Sequence, residues 1–127
     1  MKNIYSILII VFIIFGCAKD GPFEWNKDVP FQDILAKSSG KLILMDFETE
    51  WWSWCDRLDV DTYSESKVKA FANKYLISMK IDAEKGEGID LAKQYGVRGF
   101  PTIIISNDKG EEIDRIIGYR PPEPFLN

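Results

Sequence analysis

The chain contains, at residues 42–55, the run Leu42-Ile43-Leu44-Met45-Asp46-Phe47-Glu48-Thr49-Glu50-Trp51-Trp52-Ser53-Trp54-Cys55. Its first six residues form an apolar run of strand length, which predicts a central strand covered on both faces. Asp46 lies inside that run, so burial is expected to raise its pKa and equip it for proton transfer. The alternative is a strand-end carboxylate in contact with solvent.

Helical and strand patterns alternate along the rest of the chain. Helices are predicted from Phe31 to a Ser-Ser-Gly stop at 38–40, over 64–75 with Ser64 as N-cap, and over 89–95. Further strands are predicted over 76–82, 102–106 and 112–117, the last closing a hairpin. This alternation predicts an α/β fold with a mixed sheet.

A second motif, Tyr95-Gly96-Val97-Arg98-Gly99-Phe100-Pro101-Thr102, follows in order. It resembles the Y-G-V-x-G-x-P-T segment of thioredoxin-like proteins, and residues 46–55 resemble their D-F-x-A-x-W-C-G-P-C site. Over about 31–125 the chain resembles thioredoxin-like domains of the DsbD C-terminal type. The resemblance implies a thioredoxin fold, with a central mixed sheet flanked by helices. It also implies a cis Phe100–Pro101 bond beside the site, where the backbone of Phe100 could pair with an extended substrate.

The site departs from the family pattern. The gapless alignment puts Trp52 at the position of the nucleophilic first cysteine and Cys55 at the position of the resolving second one. A rival alignment makes Cys55 the nucleophile of a Cys-x-x-Leu monothiol site. The chain has only one other cysteine, Cys17, so both alignments predict that the dithiol pair is absent.

The first functional prediction is therefore a polypeptide-binding or chaperone-like module. Exposed Trp51, Trp52 and Trp54 would bind extended polypeptide together with Phe100 and Pro101. The alternative for Trp51 and Trp54 is packing against the sheet and the helix start. The second prediction is a monothiol exchange protein, in which Cys55 and Asp46 are catalytic and a thiol protein is the partner. A third is a decayed paralogue without activity.

Composition excludes several other classes. The 127 residues contain no histidine, which rules out histidine-based triads and histidine-ligated metals. A net charge of −4 makes nucleic acid an unexpected partner. The acidic stretch from 56 to 65 is interpreted as a solvated helix face. We expect one domain, no cofactor and no metal site.

The N-terminus resembles a bacterial lipoprotein signal. One lysine precedes an apolar run over 4–15, which as a helix spans roughly 18 Å against a hydrocarbon core of roughly 30 Å. Residues 1–16 are predicted to be a signal peptide, and Cys17 to be acylated, anchoring the protein on the periplasmic face of the bacterial envelope, with the outer membrane favoured. An ordinary signal peptide and a membrane-spanning helix are the alternatives. Residues 17–30 are predicted to be a tether, with Phe23 and Trp25 able to dock as an edge strand, and 31–127 the domain.

The last residues, 119–127, include three prolines where relatives carry an amphipathic helix. The final helix is therefore predicted to be missing or truncated. We expect a lowered stability, with a melting temperature below about 65 °C.

Overall fold

The computed structural model describes residues 21–127. Five strands and five helices alternate along them, with a π-helical turn between the second and third helices. In chain order they are β1 Trp25–Asn26, α1 Phe31–Lys37, β2 Leu42–Glu48, α2 Ser53–Arg57, the π-helical turn Leu58–Thr62, α3 Ser66–Tyr75, β3 Leu76–Asp82, α4 Glu87–Gln94, β4 Thr102–Ser106, β5 Glu112–Ile117 and α5 Pro122–Leu126.

The strands form one mixed sheet in the order β1-β3-β2-β4-β5. β3 is parallel to both β1 and β2, whereas β4 is antiparallel to β2 and to β5. The predicted α/β fold with a mixed sheet is confirmed. β2 is the central strand of this sheet, and its apolar run is covered on both faces.

Each face of the sheet carries its own apolar core. One core includes Phe31, Ile34, Phe47 and Tyr95, contributed by α1, β2 and the end of α4. The other is built from Leu44, Leu58, Tyr63, Val68 and Ile103. The second core packs the π-helical turn and α3 against Leu44 of β2 and Ile103 of β4, and the π-helical turn continues directly from α2, which carries Cys55.

A short segment before residue 31 pairs with the sheet. Trp25 and Asn26 pair with Ser78 and Met79 of β3, so the docking of this segment as an edge strand is observed. Phe23 stacks on Trp25 with ring centroids 4.1 Å apart. Phe23 and Trp25 therefore dock on the domain in the way the sequence allowed, because their rings bury apolar surface against its second core.

The helix starts also differ from the prediction. Residues 53–62, which lie outside the three predicted helices, form α2 and the π-helical turn. α3 is N-capped by Glu65 and not by Ser64, whose hydroxyl donates to the carbonyl of Val60 instead. The helix predicted over 89–95 begins at Glu87, after Gly86 with a φ of 53°.

A short helix, α5, ends the described residues. α5 has five residues and begins with Pro122 at its first position, where proline loses no hydrogen bond. Phe125 anchors it by an edge contact with Tyr63, at 5.7 Å between ring centroids. Through Phe125, α5 packs against the second core.

The predicted signal peptide and Cys17 lie outside the described residues. Within residues 21–127, no helix has both the length and the apolar character that crossing a bilayer requires.

Candidate functional site

Three indoles follow the carboxyl end of β2. Trp52 is the N-cap of α2, with Trp51 before it and Trp54 within the first turn. The exposed fractions of Trp51, Trp52 and Trp54 are 64%, 38% and 47%, so Trp51 and Trp54 do not pack into the core. We call these three side chains the aromatic face.

Specific contacts orient the aromatic face. The indole N–H of Trp51 donates to both carboxylate oxygens of Glu84, at 2.9 and 3.0 Å. The rings of Trp51 and Trp52 meet edge to face at 71°, with centroids 5.5 Å apart. Trp54 lies against Tyr119, at 5.8 Å between centroids. These contacts hold large apolar rings in place at the surface, where isolated side chains would reorient freely.

Cys55 lies one turn inside α2 and is only 3% exposed. Its backbone N–H donates to the carbonyl of Trp52 at 3.0 Å. Burial raises the pKa of the thiol to about 11, and the carboxylates of Asp46 and Glu48 add to that rise. The thiolate, which is the nucleophilic form, is therefore scarce at neutral pH.

Asp46 is 1% exposed within β2, so the alternative of a solvent-exposed strand-end carboxylate is wrong. Burial raises the pKa of its carboxyl to about 6, in the expected direction, although the ammonium of Lys80 opposes the rise. Asp46 Oδ2 accepts from Lys80 Nζ at 3.1 Å. Within residues 21–127, Asp46 Oδ1 and the buried hydroxyl of Tyr63 have no hydrogen-bond partner.

Lys80 is the centre of this charged cluster. Its Nζ also donates to Glu48 at 2.9 Å and to Asp59 at 2.6 Å. Burial alone would lower the pKa of the ammonium, but the carboxylates of Asp46, Asp59 and Glu48 outweigh it, so its pKa lies above the usual lysine range.

The surroundings of Lys80 explain how a buried ammonium is tolerated. Its Nζ lies 4.7 Å from the ring centroid of Trp25 and 5.3 Å from that of Tyr63, in cation–π contact. Oxygens of Asp46, Glu48 and Asp59 lie within 4.8 Å of one another, a spacing at which carboxylates can share a cation. The lysine ammonium contacts all three carboxylates and is that cation here.

The predicted cis bond between Phe100 and Pro101 is confirmed. Thr102, the next residue, pairs with Phe47, which places this turn at the end of the sheet where the aromatic face lies. Pro101 is buried, so its ring is not available as a contact surface. Its carbonyl accepts from the N–H of Gly118 at 2.8 Å. Phe100 is half-buried against the core, and within residues 21–127 neither its N–H nor its carbonyl is hydrogen-bonded to the backbone.

The sequence prediction missed Lys80, Asp59 and Glu84. The sequence does contain a signal for Lys80, because it is a lone lysine within the apolar strand Leu76–Asp82. That strand runs beside Asp46. Asp59 was assigned to a solvated helix face, but the π-helical turn directs it to Lys80. Asp61 also departs from that interpretation, because it accepts from Arg57 and from the hydroxyl of Tyr119, each at 3.0 Å.

The sheet order, the cis proline and the site at the end of β2 define the class as a thioredoxin fold. The thioredoxin-like domain family matches residues 31–127, so the chain belongs to that family.

Individual relatives agree with this assignment. The chain is similar to the thiol:disulfide interchange protein DsbD of Yersinia pestis, at 32% identity over 98 residues, 75% of this chain and 16% of that protein. It therefore spans about a sixth of the length of that relative. It is 37% identical to thioredoxin H-type from Fagopyrum esculentum over 101 residues, 79% of this chain and 77% of the relative. The structure of a DsbH oxidoreductase matches with a TM-score of 0.72 at 21% identity, covering 84% of this chain and 81% of that one, a likeness of fold.

Proposed function

We propose that the protein is a thioredoxin-like module that binds extended polypeptide without exchanging disulfides. In this proposal the aromatic face replaces the reactive thiol of the family as the contact surface. The backbone N–H and carbonyl of Phe100, which pair with no backbone group of residues 21–127, supply a short edge for pairing with the bound strand.

One observation carries the proposal: an exposed Trp52, and no thiol, occupies the N-terminus of α2. Helix N-termini stabilise thiolates, so this is the position where a reactive cysteine gains most. The positions of Trp52 at the cap and Cys55 one turn deeper support the gapless alignment with the family site. Exposed tryptophans that are held by neighbours are favoured anchors of protein interfaces.

Binding of a thiol-free polypeptide tests the proposal. The full chain is titrated into a fluorescently labelled, S-carbamidomethylated unfolded polypeptide, and anisotropy is measured. Because that probe cannot form a mixed disulfide, binding reports non-covalent contact alone. We expect saturable binding that Trp52→Ala weakens about tenfold or more, the loss typical of a central aromatic anchor.

Phe71→Ala provides the matched control. Phe71 is an exposed aromatic residue of α3, outside the aromatic face, with an exposed fraction of 47%. The control should change the affinity less than about twofold, as expected outside an anchor cluster. No binding, or equal losses in the two variants, would contradict the proposal.

Burial and a raised pKa of Cys55 count against the monothiol alternative. The thiol lies beneath the start of α2, and a partner disulfide could reach it only after that segment opens. Asp46 is close enough to influence the thiol electrostatically, but its carboxylate raises the thiol pKa and so disfavours the thiolate.

We also propose that the protein acts in the bacterial envelope, attached through a lipid on Cys17. The resemblance of residues 1–17 to a lipoprotein signal and the similarity to DsbD support this location. Metabolic labelling with a radioactive fatty acid should mark the wild-type protein and not Cys17→Ser. Label retained in Cys17→Ser would overturn the anchoring proposal.

A further inference from the structure

We infer that the polypeptide bound by the aromatic face carries lysine or arginine beside its apolar residues. The inference rests on the proposed function, because it names the chemistry of the segment bound at that same face. Its basis is the combination of exposed indole rings with carboxylate-rich surfaces on both sides of them.

The indole rings are arranged to receive a cation. Trp51 and Trp52 meet edge to face at 71°, and both rings are solvent-accessible. Glu84 binds the indole N–H of Trp51 and adds negative charge at the edge of that ring. Indole faces attract lysine and arginine side chains, and adjacent carboxylates strengthen that attraction.

A cleft of about 620 Å³ lies at the carboxyl ends of β2 and β3. Glu50, the residue before Trp51, forms part of its wall. Five carboxylate residues and three lysines line it. Two of the lysines are already committed, since Lys80 contacts three carboxylates and Lys85 contacts Glu50 at 2.7 Å and Asp82 at 3.7 Å.

A second depression of about 540 Å³ adjoins the other end of the aromatic face, and Trp54 is part of its lining. Asp56, Arg57 and Asp61 contribute its charged groups, and Arg57 is paired with Asp61 at 3.0 Å. Asp56 is exposed and forms no ion pair with another residue of 21–127. Both flanks of the aromatic face therefore carry an excess of negative charge.

The environment of Lys80 shows that this fold already holds an ammonium group among aromatic rings and carboxylates. Its ammonium lies between the rings of Trp25 and Tyr63 on one side and three carboxylates on the other. The surface site offers the same groups, indoles and carboxylates, to a cation supplied by the partner. An acidic segment would instead meet like charges on both flanks.

Three labelled peptides test the inference. They share one alternating apolar sequence and differ only at the intervening positions, which are lysine, glutamine or glutamate. At low salt the full chain should bind the lysine peptide about tenfold more tightly than the glutamine peptide, and the glutamate peptide most weakly. Raising the salt to about 0.5 M should shrink the lysine advantage below about threefold.

A charge-neutralising double variant locates the effect. Glu50→Gln with Asp56→Asn should weaken binding of the lysine peptide about threefold or more, and that of the glutamine peptide less. Asp108→Asn is the matched control, because Asp108 is exposed in the β4–β5 turn at the opposite end of the sheet. The control should bind all three peptides as the wild type does.

The outcomes separate the inference from the function on which it rests. Equal affinity for the lysine and glutamine peptides overturns the inference and leaves polypeptide binding in place. No binding of any peptide overturns both. A lysine preference that the double variant retains in full also overturns the inference, because the preference would then arise elsewhere on the protein.

Discussion

Burial and charge compete at Asp46. Its carboxyl is enclosed by β2, α2 and the π-helical turn, and the nearby groups are Lys80, Glu48, Asp59, Tyr63 and Cys55. Burial raises its pKa from 3.8 to about 6, so the folded chain binds this proton more tightly than the unfolded chain does. Between about pH 4 and pH 6 the free energy of unfolding therefore falls as the pH rises.

Asp46→Asn removes this titration. Since the amide resembles the protonated acid, the variant should be more stable than the wild type by about 1–3 kcal/mol at pH 8 and nearly equal to it at pH 4. Urea denaturation at the two pH values measures the difference, with Asp108→Asn as a surface control. A variant that is less stable at pH 8 would mean that the ion pair with Lys80 outweighs the burial of the charge.

At the scale of elements, α4 is fixed by a close approach to β3. Gly88 lies in the first turn of α4, and a Cβ there would be 1.9 Å from the carbonyl oxygen of Asp82. That oxygen is backbone and cannot move without shifting the end of β3. The position therefore requires glycine for lack of space.

Gly88→Ala should lower the free energy of unfolding by at least about 2 kcal/mol, as overpacking against backbone does. Gly99→Ala is the matched control, because a Cβ at Gly99 meets nothing within 4 Å. Its effect should stay within about 0.5 kcal/mol. The comparison is made by urea denaturation at one pH, and equal stability of the two variants would show that α4 does not contact β3 this closely.

The elements also show what sequence reasoning could and could not find. β2, β3 and β4 were predictable because each is a largely apolar run of the length typical of a strand. The π-helical turn was not, because its two aspartates suggest a solvated surface until the partner Lys80 is placed beside it. Its wider turn changes which residues face the sheet, and pattern periods of 3.6 do not describe it.

The same limit applies to the candidate site. Asp46, Cys55 and the cis proline follow from local motifs, so the sequence could locate them. The ion cluster joins residues 34 positions apart, and only the pairing of β2 with β3 brings Asp46 to Lys80. Whether Trp51 and Trp54 are exposed likewise depends on tertiary packing. The sequence alone was equally compatible with their packing in the core.

At the scale of the whole molecule, the two ends of the described chain close the face around Tyr63. Phe23 and Trp25 from the N-terminal side, and Phe125 from α5, all pack against its ring. Tyr63 directly follows the π-helical turn, which continues from α2, where Cys55 is itself buried. Access to the thiol therefore depends on the opening of packed structure, and not on the mobility of a single side chain.

Alkylation of Cys55 in the intact protein tests whether its thiol is buried and unreactive, as a binding module without disulfide exchange requires. Iodoacetamide labelling is followed by peptide mass spectrometry across pH and urea concentration, and Cys17 is scored separately. A buried thiol with a pKa of about 11 should label slowly in the native protein even at pH 8, and its rate should rise in step with unfolding. Fast labelling without urea and a midpoint well below about 8.5, the ordinary value for cysteine, would contradict the account and favour a reactive monothiol site.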